Sequence, residues 1–305
     1  MVSYDQAPLA GSPPAEFDID IALVRGLLSD QHPDLANLSL RLMDVGWDNA
    51  MFRLGDTFLI RLPRRELAAS LIEHEQQWLP ILAEQLPIAI PVPVRVGDPG
   101  RGYPWKWSVL PWLKGSSADQ VEPRPDQAVR LGQFLRSLHV AAPDTAPQNA
   151  VRGVPLSHRA EMVEARMHRL ESTTRLISAE IRHTWQAALE APRANDARWL
   201  HGDLHPRNIL VEHGMITGII DWGDITAGDV ATDLASIWML FGDRSYRQDA
   251  LQAYGAISEA TLHRAKGWAR LFGVVLLETG LVDNPQHMKM GQKTLSRIAA
   301  DAAVA

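Results

Sequence analysis

Short apolar runs separated by turn residues mark the first third of the chain. Five runs share this pattern, at 38–45, 50–54, 57–62, 92–96 and 107–110. Between the first three lie Gly46-Trp47-Asp48-Asn49 and Gly55-Asp56, which have the glycine, asparagine and aspartate typical of tight turns. The pattern predicts an antiparallel sheet of five strands.

Two other segments of this region repeat apolar residues at helical spacing. Asp18 is positioned to cap a helix whose apolar face continues to Leu28. The stretch 66–86 predicts a long amphipathic helix that continues past Pro80.

After residue 115 the apolar spacing is mostly helical. Seven segments share it, at 125–140, 156–170, 175–190, 230–241, 246–253, 258–279 and 287–302. Among them, the runs 208–212 and 215–220 flank His213-Gly214 and predict a β-hairpin. The chain is therefore predicted to be α+β, with a sheet and one long helix first and a mostly helical part after it.

Composition narrows the class of protein. A chain of 305 residues exceeds the usual size of one domain, and 46% hydrophobic with 22% charged residues is typical of a globular protein. The net charge of −6, without a long basic run, gives no electrostatic footprint for nucleic acid. The absence of cysteine excludes disulfides and thiolate chemistry.

No stretch reaches the roughly 20 apolar residues that span a bilayer, so we expect a cytoplasmic protein without a membrane partner.

Two polar segments carry the candidate chemistry. The loop His201-Gly202-Asp203-Leu204-His205-Pro206-Arg207-Asn208 supplies a carboxylate and a carboxamide, and Ile219-Ile220-Asp221-Trp222-Gly223-Asp224 supplies another carboxylate after the hairpin. Asp203, Asn208 and Asp221 thus offer one acceptor for a hydroxyl proton and two oxygen ligands for Mg²⁺. That set is what magnesium-dependent phosphoryl transfer requires.

Both segments resemble the signatures of the aminoglycoside phosphotransferase family, and the resemblance extends from about Leu40 to near the end of the chain. That family has the bilobal fold of protein kinases. The resemblance therefore implies a nucleotide-binding lobe over 1–110, a hinge at 111–115 and a helical lobe over 116–305. It also implies transfer of the terminal phosphoryl group of ATP or GTP to a hydroxyl of a small molecule, with Mg²⁺ as cofactor.

The resemblance gives individual residues a role. Asp203 corresponds to the catalytic aspartate that orients the acceptor hydroxyl and takes its proton. Asn208 and Asp221 would hold Mg²⁺ beside the nucleotide. His201 would hold the loop by hydrogen bonding, and Asp233 would anchor it from a helix.

In the small lobe, the family pairs a strand lysine with a helix glutamate to place the nucleotide phosphates. Arg61 stands where that lysine is expected, and arginine differs from lysine in reach and planar geometry. Glu75 is the expected partner, with Glu73 as the alternative. Gly46 lies in the hairpin turn that would cover the phosphates.

The remaining implications concern the base and the acceptor. Leu110 and Trp112 belong to the hinge, whose main chain would meet the nucleotide base. The family accepts aminoglycosides, macrolides, choline, homoserine and related metabolites, so antibiotic resistance and metabolism are both open. We expect a monomer or a weak homodimer.

Two other functions are compatible with the residues. His201, Asp203 and His205 alternate along the chain and could bind zinc or manganese in a metallohydrolase, although this leaves the rest of the acidic motif unexplained. The other is a catalytically silent kinase-like module that holds a nucleotide or metabolite without transfer. The departure at Arg61 favours it, and the retained acidic motif disfavours it.

Overall fold

The structure of the chain is a computed structural model that describes three segments, residues 15–45, 48–194 and 196–302. These residues fall into two compact units. The sheet unit consists of the described residues of Gly11–Lys114 and Gly218–Gly223, and the helical unit of those of Gly115–Thr217 and Asp224–Ala305.

An antiparallel sheet with the strand order β1-β2-β3-β5-β4 forms the core of the sheet unit. Its strands are β1 (Leu40–Val45), β2 (Asn49–Leu54), β3 (Phe58–Pro63), β4 (Arg95–Gly97) and β5 (Trp107–Pro111). Phe52, Leu54 and Ile60 are at most 1% exposed and pack into one apolar cluster with Leu27 and Leu28. Burial of this cluster is the main driving force for the sheet.

Two helices complete the sheet unit, α1 (Ile21–Gln31) and α2 (Glu66–Ala83). The cap of α1 differs from the prediction, because the Oδ1 of Asp20, and not of Asp18, accepts the Leu23 N–H at 2.7 Å. Both aspartates precede the apolar run, and only Asp20 stands directly before the first helical residue, from where its side chain reaches the amide of the third. The second helix continues past Pro80 to Ala83, as predicted.

The segment 218–223, which the resemblance assigns to the helical lobe, has its contacts in the sheet unit. There the Ile219 N–H donates to the Ala89 carbonyl at 3.0 Å, and Asp221 pairs with Arg61. The segment therefore brings an acidic residue from late in the chain to the sheet.

The helical unit contains eight helices among its described residues. They are α3 (Gln127–Leu138), α4 (Ala160–Glu171), α5 (Ala179–Glu190), α6 (Ala231–Leu234), α7 (Ser236–Leu240), α8 (Arg244–Tyr254), α9 (Glu259–Val282) and α10 (Pro285–Ala302). The long helix α9 lies at the centre, and α4, α5, α6, α7 and α10 pack against it. The single helix predicted over 230–241 is divided into α6 and α7, although Ala235 between them keeps helical dihedral angles.

Short strands hold the loops of the helical unit. They are β6 (Ser116–Ser117), β7 (Arg198–Leu200), β8 (Ile209–Glu212), β9 (Met215–Ile219) and β10 (Thr226–Gly228), of which β9 has its last two residues in the sheet unit. The hairpin of β8 and β9 confirms the sequence prediction, and β6 extends it into a three-stranded sheet. The antiparallel pair of β7 and β10 was not predicted. The pair fixes the end of β7, where the loop 201–208 begins, and the start of β10, where the segment with Asp221 and Asp224 ends.

The α+β fold predicted from the sequence is confirmed, with its five-stranded antiparallel sheet, one long helix after β3 and a mostly helical second part. Across the three described segments, no helix is both long and apolar enough to cross a bilayer.

Arg270 of α9 is an uncompensated charge in the core of the helical unit. It is fully buried, it donates to the Thr184 hydroxyl, and its Nε and Nη1 have no hydrogen-bond partner among the described residues. Burial lowers the pKa of Arg270 to about 9. We expect Arg270→Met to raise the free energy of unfolding by about 1–3 kcal/mol, measured by urea denaturation, because a buried charge without a partner is costly.

The same substitution at Arg247 is the matched control, because this buried guanidinium pairs with Asp301 at 2.5 Å, and its loss leaves that carboxylate with the Trp238 N–H but without its cationic partner. Arg247→Met is therefore expected to destabilise the chain. The folded state binds the Arg270 proton less tightly than the unfolded state does. The destabilisation caused by the buried charge is therefore fully present below pH 9 and declines as the pH rises above 9. If Arg270→Met did not raise the free energy of unfolding at pH 7, this account would be contradicted.

Candidate active site

The loop 201–208 connects β7 to β8 in a conformation that restricts its residues. Gly202 has a φ of 87°, and a Cβ atom there would lie 2.3 Å from the main-chain oxygen of Asp224, so no side chain fits. A single 3-10 turn, Pro206–Asn208, closes the loop. Its last side chain, Asn208, donates to the Asp203 carbonyl at 2.9 Å. The loop thus fixes Asp203 and Asn208 relative to each other.

Asp233 of α6 anchors this loop from a fully buried position. Its Oδ2 accepts the His201 N–H at 2.7 Å and its Oδ1 accepts the Gly202 N–H at 2.9 Å. His201 in turn accepts the Asp203 N–H through Nδ1 at 3.2 Å. These contacts are the ones that the scaffold roles of His201 and Asp233 require.

Asp203 carries the one carboxylate of this loop, and basic side chains surround it. The Arg152 guanidinium donates to its Oδ1 at 2.7 Å, and the Nε2 of His205 lies 3.4 Å from its Oδ2. Burial alone would raise the pKa of Asp203, but Arg152, with a further contribution from His205, lowers it below the ordinary range of an aspartate. The carboxylate is therefore ionised at neutral pH, the form that can accept a hydrogen bond from a hydroxyl group.

Arg152 and its partners were not identified from the sequence. Arg152 lies in the loop before α4, and its Nε is 3.6 Å from Oδ2 of Asp224. The side chain of Asn149 donates to the other Asp224 oxygen at 2.7 Å. Nothing in the spacing of the chain links an arginine to an aspartate 51 residues later, so no sequence signal marks this pair.

In the sheet unit, Arg61 of β3 joins Glu75 of α2 and Asp221. Its Nη1 donates to Glu75 Oε1 at 2.7 Å and its Nη2 donates to Asp221 Oδ1 at 3.0 Å. The Arg61 and Glu75 side chains are 9% and 2% exposed, whereas Asp221 is 57% exposed. The alternative glutamate, Glu73, lies half-exposed 3.9 Å from Lys106. Glu75 is thus the residue that the structure brings to Arg61.

One guanidinium shared by two carboxylates leaves this cluster with an excess of negative charge. Burial raises the pKa of Glu75 to about 7, and Asp221 adds to this rise, while Arg61 opposes it. Burial alone would lower the pKa of Arg61, but Glu75 and Asp221 together raise it. The cluster can therefore accept further positive charge, either a proton near pH 7 or a cation at the exposed oxygen of Asp221.

The predicted hinge residues, Leu110 and Trp112, differ in the groups that they offer to a nucleotide base. Leu110 is 3% exposed and lies opposite Leu59 in the sheet, so any contact with a ligand would come from its main chain. The Trp112 N–H already donates to the Thr57 carbonyl at 2.7 Å, and the Arg53 guanidinium lies 3.8 Å from the Trp112 ring centre. The Trp112 amide is therefore not free to meet a base. The predicted phosphate-covering Gly46 lies outside the described residues.

Within the described residues, the structure does not form the metal site that the metallohydrolase alternative requires. Within the described segments there is no group of three histidine, aspartate or glutamate side chains that could hold a metal ion. The Nδ1 of His201 is occupied by the Asp203 amide, and His205 lies against the Asp203 carboxylate. A metallohydrolase built on His201, Asp203 and His205 is therefore not supported by the geometry.

Comparison with known proteins agrees with this arrangement. Residues 39–268 match the model of the phosphotransferase enzyme family APH. The uncharacterized protein YcbJ of Bacillus subtilis (strain 168) is 24% identical over 246 residues, which cover 73% of this chain and 78% of YcbJ.

Solved structures show the same fold. The GDP complex of aminoglycoside 2'-phosphotransferase-IIIa superposes with a TM-score of 0.66 at 18% identity, over 93% of this chain and 99% of that chain. Macrolide 2'-phosphotransferase MphH from Brachybacterium faecium has a TM-score of 0.60 at 21% identity, over 90% and 97%. The family match covers more than half of the chain, and the chain therefore belongs to the phosphotransferase enzyme family APH.

Proposed function

We propose that this chain transfers the terminal phosphoryl group of ATP or GTP to a hydroxyl group of a small molecule. The single observation that carries the proposal is the Asp203 carboxylate, which lies in a loop anchored by Asp233 and contacts the Arg152 guanidinium at 2.7 Å. A carboxylate fixed in this way can orient a hydroxyl and accept its proton as the new bond to phosphorus forms.

Asn208 and Asp221 would each supply an oxygen ligand for Mg²⁺ in this reaction. Their donor atoms suit a hard cation. Asn208 uses its Nδ2 to hold the loop, which leaves the carbonyl Oδ1 as a ligand atom. Asp221 gives one oxygen to Arg61 and is more than half exposed. When bound, the ion would neutralise charge on the phosphates.

Arg61 and Glu75 would place the phosphates of the nucleotide. Arg61 is nearly buried, and two carboxylates hold it, so its position is fixed before any ligand binds. A fixed cation costs little conformational entropy on binding. Arg61 in place of the family's lysine thus keeps the positive charge and changes the geometry of the phosphate contact. The similar fold of aminoglycoside 2'-phosphotransferase-IIIa, described as a GDP complex, supports a purine nucleotide as the phosphoryl donor.

The test is a turnover assay with purified full-length chain, Mg²⁺ and either ATP or GTP, against a panel of hydroxylated small molecules. The panel should include aminoglycosides, macrolides, amino alcohols and hydroxy amino acids. Phosphorylated product is identified by mass spectrometry, and release of nucleoside diphosphate is measured in parallel. Nucleotide binding without transfer to any acceptor would favour the silent module instead.

Asp221→Ala should weaken binding of magnesium nucleotide by about 10-fold or more, because it removes a carboxylate ligand and leaves Arg61 paired with Glu75 alone. Calorimetry with ADP in the presence of Mg²⁺, and again with a chelator, measures the effect. Glu73→Ala is the control, since this half-exposed glutamate lies 3.9 Å from Lys106 and makes no closer ion pair within the described segments. An unchanged affinity at Asp221→Ala would exclude Asp221 as a metal ligand.

A further inference from the structure

An open cavity lies on the helical unit between the end of α3 and the start of α9, and none of its lining residues belongs to the loop 201–208. Its volume is about 490 Å³, which is within the roughly 300–1,000 Å³ typical of small-molecule sites. Among the described residues, its lining includes one acidic side chain, Asp196, and four arginines, Arg136, Arg193, Arg198 and Arg264. The cavity therefore carries an excess of positive charge on a chain whose net charge is −6.

Three of the four guanidinium groups have few protein contacts. Arg136 is exposed and makes no hydrogen bond or ion pair with any residue that the structure describes. The Nη2 of Arg193 lies 3.4 Å from the Ser157 hydroxyl. The Nη2 of Arg198 lies 3.5 Å from the exposed carboxylate of Asp196. Exposed contacts of this length contribute little to stability, so these arginines keep hydrogen-bond donors for a ligand.

Arg264 is the exception, because it is buried and its charge is balanced. Its Nε donates to Oδ2 of Asp229 at 2.6 Å, and its Nη1 donates to the Pro192 carbonyl. The second contact fixes the chain directly before Arg193. Arg264 therefore supports the wall of the cavity, and the three other arginines supply its positive charge.

We propose that this cavity binds the phosphate group of a phosphate monoester, and that the bound ligand stabilises the loop 201–208. Like charges around one cavity repel each other, and a dianion removes that repulsion. A guanidinium group presents parallel N–H donors that match phosphate oxygens. A phosphate group offers three acceptor oxygens to several arginines, whereas a carboxylate has two oxygens in one plane. Inorganic phosphate shares this chemistry, but the volume of the cavity leaves space for an organic group.

The floor of the cavity contacts the residue that anchors the candidate active-site loop. His139 is buried there, its Nδ1 lies 3.0 Å from the Tyr254 hydroxyl, and its Nε2 lies 3.4 Å from Oδ2 of Asp233. Asp233 in turn accepts the N–H groups of His201 and Gly202. A ligand that binds only the folded cavity stabilises the folded state. Since His139 and Tyr254 both line the cavity, the ligand is expected to reduce local opening of this anchor.

The experiment measures binding to the purified chain by isothermal titration calorimetry with inorganic phosphate, glycerophosphate and phenyl phosphate. Glycerol and phenol are the uncharged counterparts. We expect both esters to bind and neither uncharged compound to bind. Binding of inorganic phosphate that is as tight as that of both esters would replace the monoester by the free ion as the ligand. No binding of any of the three phosphates would overturn the proposal.

Arg136→Met and Arg198→Met should each weaken binding of the ester by about 10-fold, which is the usual effect of losing a hydrogen bond to a charged group. Arg136 has no partner among the described residues, so Arg136→Met without ligand should unfold at the same temperature as the unmodified chain. Arg182→Met is the matched control, because this exposed arginine of the same unit pairs with Glu171 and does not line the cavity. Equal weakening at Arg182→Met would reveal a general effect of net charge and overturn the proposal.

Hydrogen exchange followed by NMR tests the effect on the loop. With the ester bound, the amides of His201 and Gly202 should exchange about threefold more slowly or less, because their opening requires separation from Asp233. The Trp112 amide, which donates to the Thr57 carbonyl in the sheet unit, is the internal control and should change less. Binding without slower exchange at His201 and Gly202 would contradict the effect on the loop. Neither measurement requires turnover, so failure of this proposal is distinguished from failure of the proposed phosphoryl transfer.

Discussion

Asp203→Ala is expected to lower kcat by about 10²–10⁴-fold, which is the usual contribution of a positioned proton acceptor. The affinity for nucleotide should change little, because Asp203 interacts with Arg152, His205 and the loop itself and is not a predicted ligand of the phosphates. The measurements are single-turnover product formation for the rate and calorimetry with ADP for the affinity. Turnover within about threefold of the unmodified chain would show that another group accepts the proton.

The substitution also removes a partner of Arg152, so a second variant is needed to separate charge from shape. Asp203→Asn keeps the size of the side chain and an oxygen that Arg152 can contact, and it abolishes the basicity. We expect it to be as inactive as Asp203→Ala but closer to the unmodified chain in unfolding temperature. Activity retained in Asp203→Asn alone would point to a purely orienting role.

Asp233→Ala is expected to reduce the free energy of unfolding by about 3–5 kcal/mol. It strands two buried donors, the N–H groups of His201 and Gly202, and each buried unpaired donor costs about 1–3 kcal/mol. The loop that carries Asp203 then loses its anchor, so activity should fall even in the fraction that stays folded. Urea denaturation followed by tryptophan fluorescence measures the stability.

Asp243→Ala provides the comparison for this effect. Asp243 caps α8 from an exposed position by accepting the Ser245 N–H at 2.8 Å, and the loss of such a cap costs about 1 kcal/mol. Equal losses at Asp233 and Asp243 would mean that the buried anchor contributes no more than a surface cap.

Much of the fold follows from the spacing of apolar residues. The strands β1, β2, β3 and β5 and the helix α2 have runs long enough to show their period, and the hairpin of β8 and β9 is marked by His213-Gly214. The strand β4 has three residues and overlaps only the end of the apolar run 92–96 that predicted it. The strands β7 and β10 have three residues each, which is too few to show alternation. Beside this pair, Asp233 fixes the loop after β7 through the N–H groups of His201 and Gly202, a contact that the spacing of apolar residues does not show.

The residues of the candidate site likewise fall into those that the sequence identifies and those that only the structure shows. Asp203, Asn208 and Asp221 stand in compact motifs whose residue types and spacing carry the chemistry. Arg152 and Asn149 act through contacts across 51 and 75 residues, with Asp203 and Asp224 respectively, and only the folded chain brings these pairs together. The sequence likewise leaves open whether Glu73 or Glu75 meets Arg61, because both lie on one helix and only burial separates them.

The path of the chain limits how the protein can be dissected. Within the described residues, the backbone passes between the two units three times, after Lys114, after Thr217 and after Gly223. A fragment that stops at Lys114 would lack the short late segment that gives Ala89 its hydrogen-bond donor and Arg61 its second carboxylate. Neither unit can therefore be produced whole by one cut, and a faithful isolated sheet unit would need residues 218–223 grafted onto it.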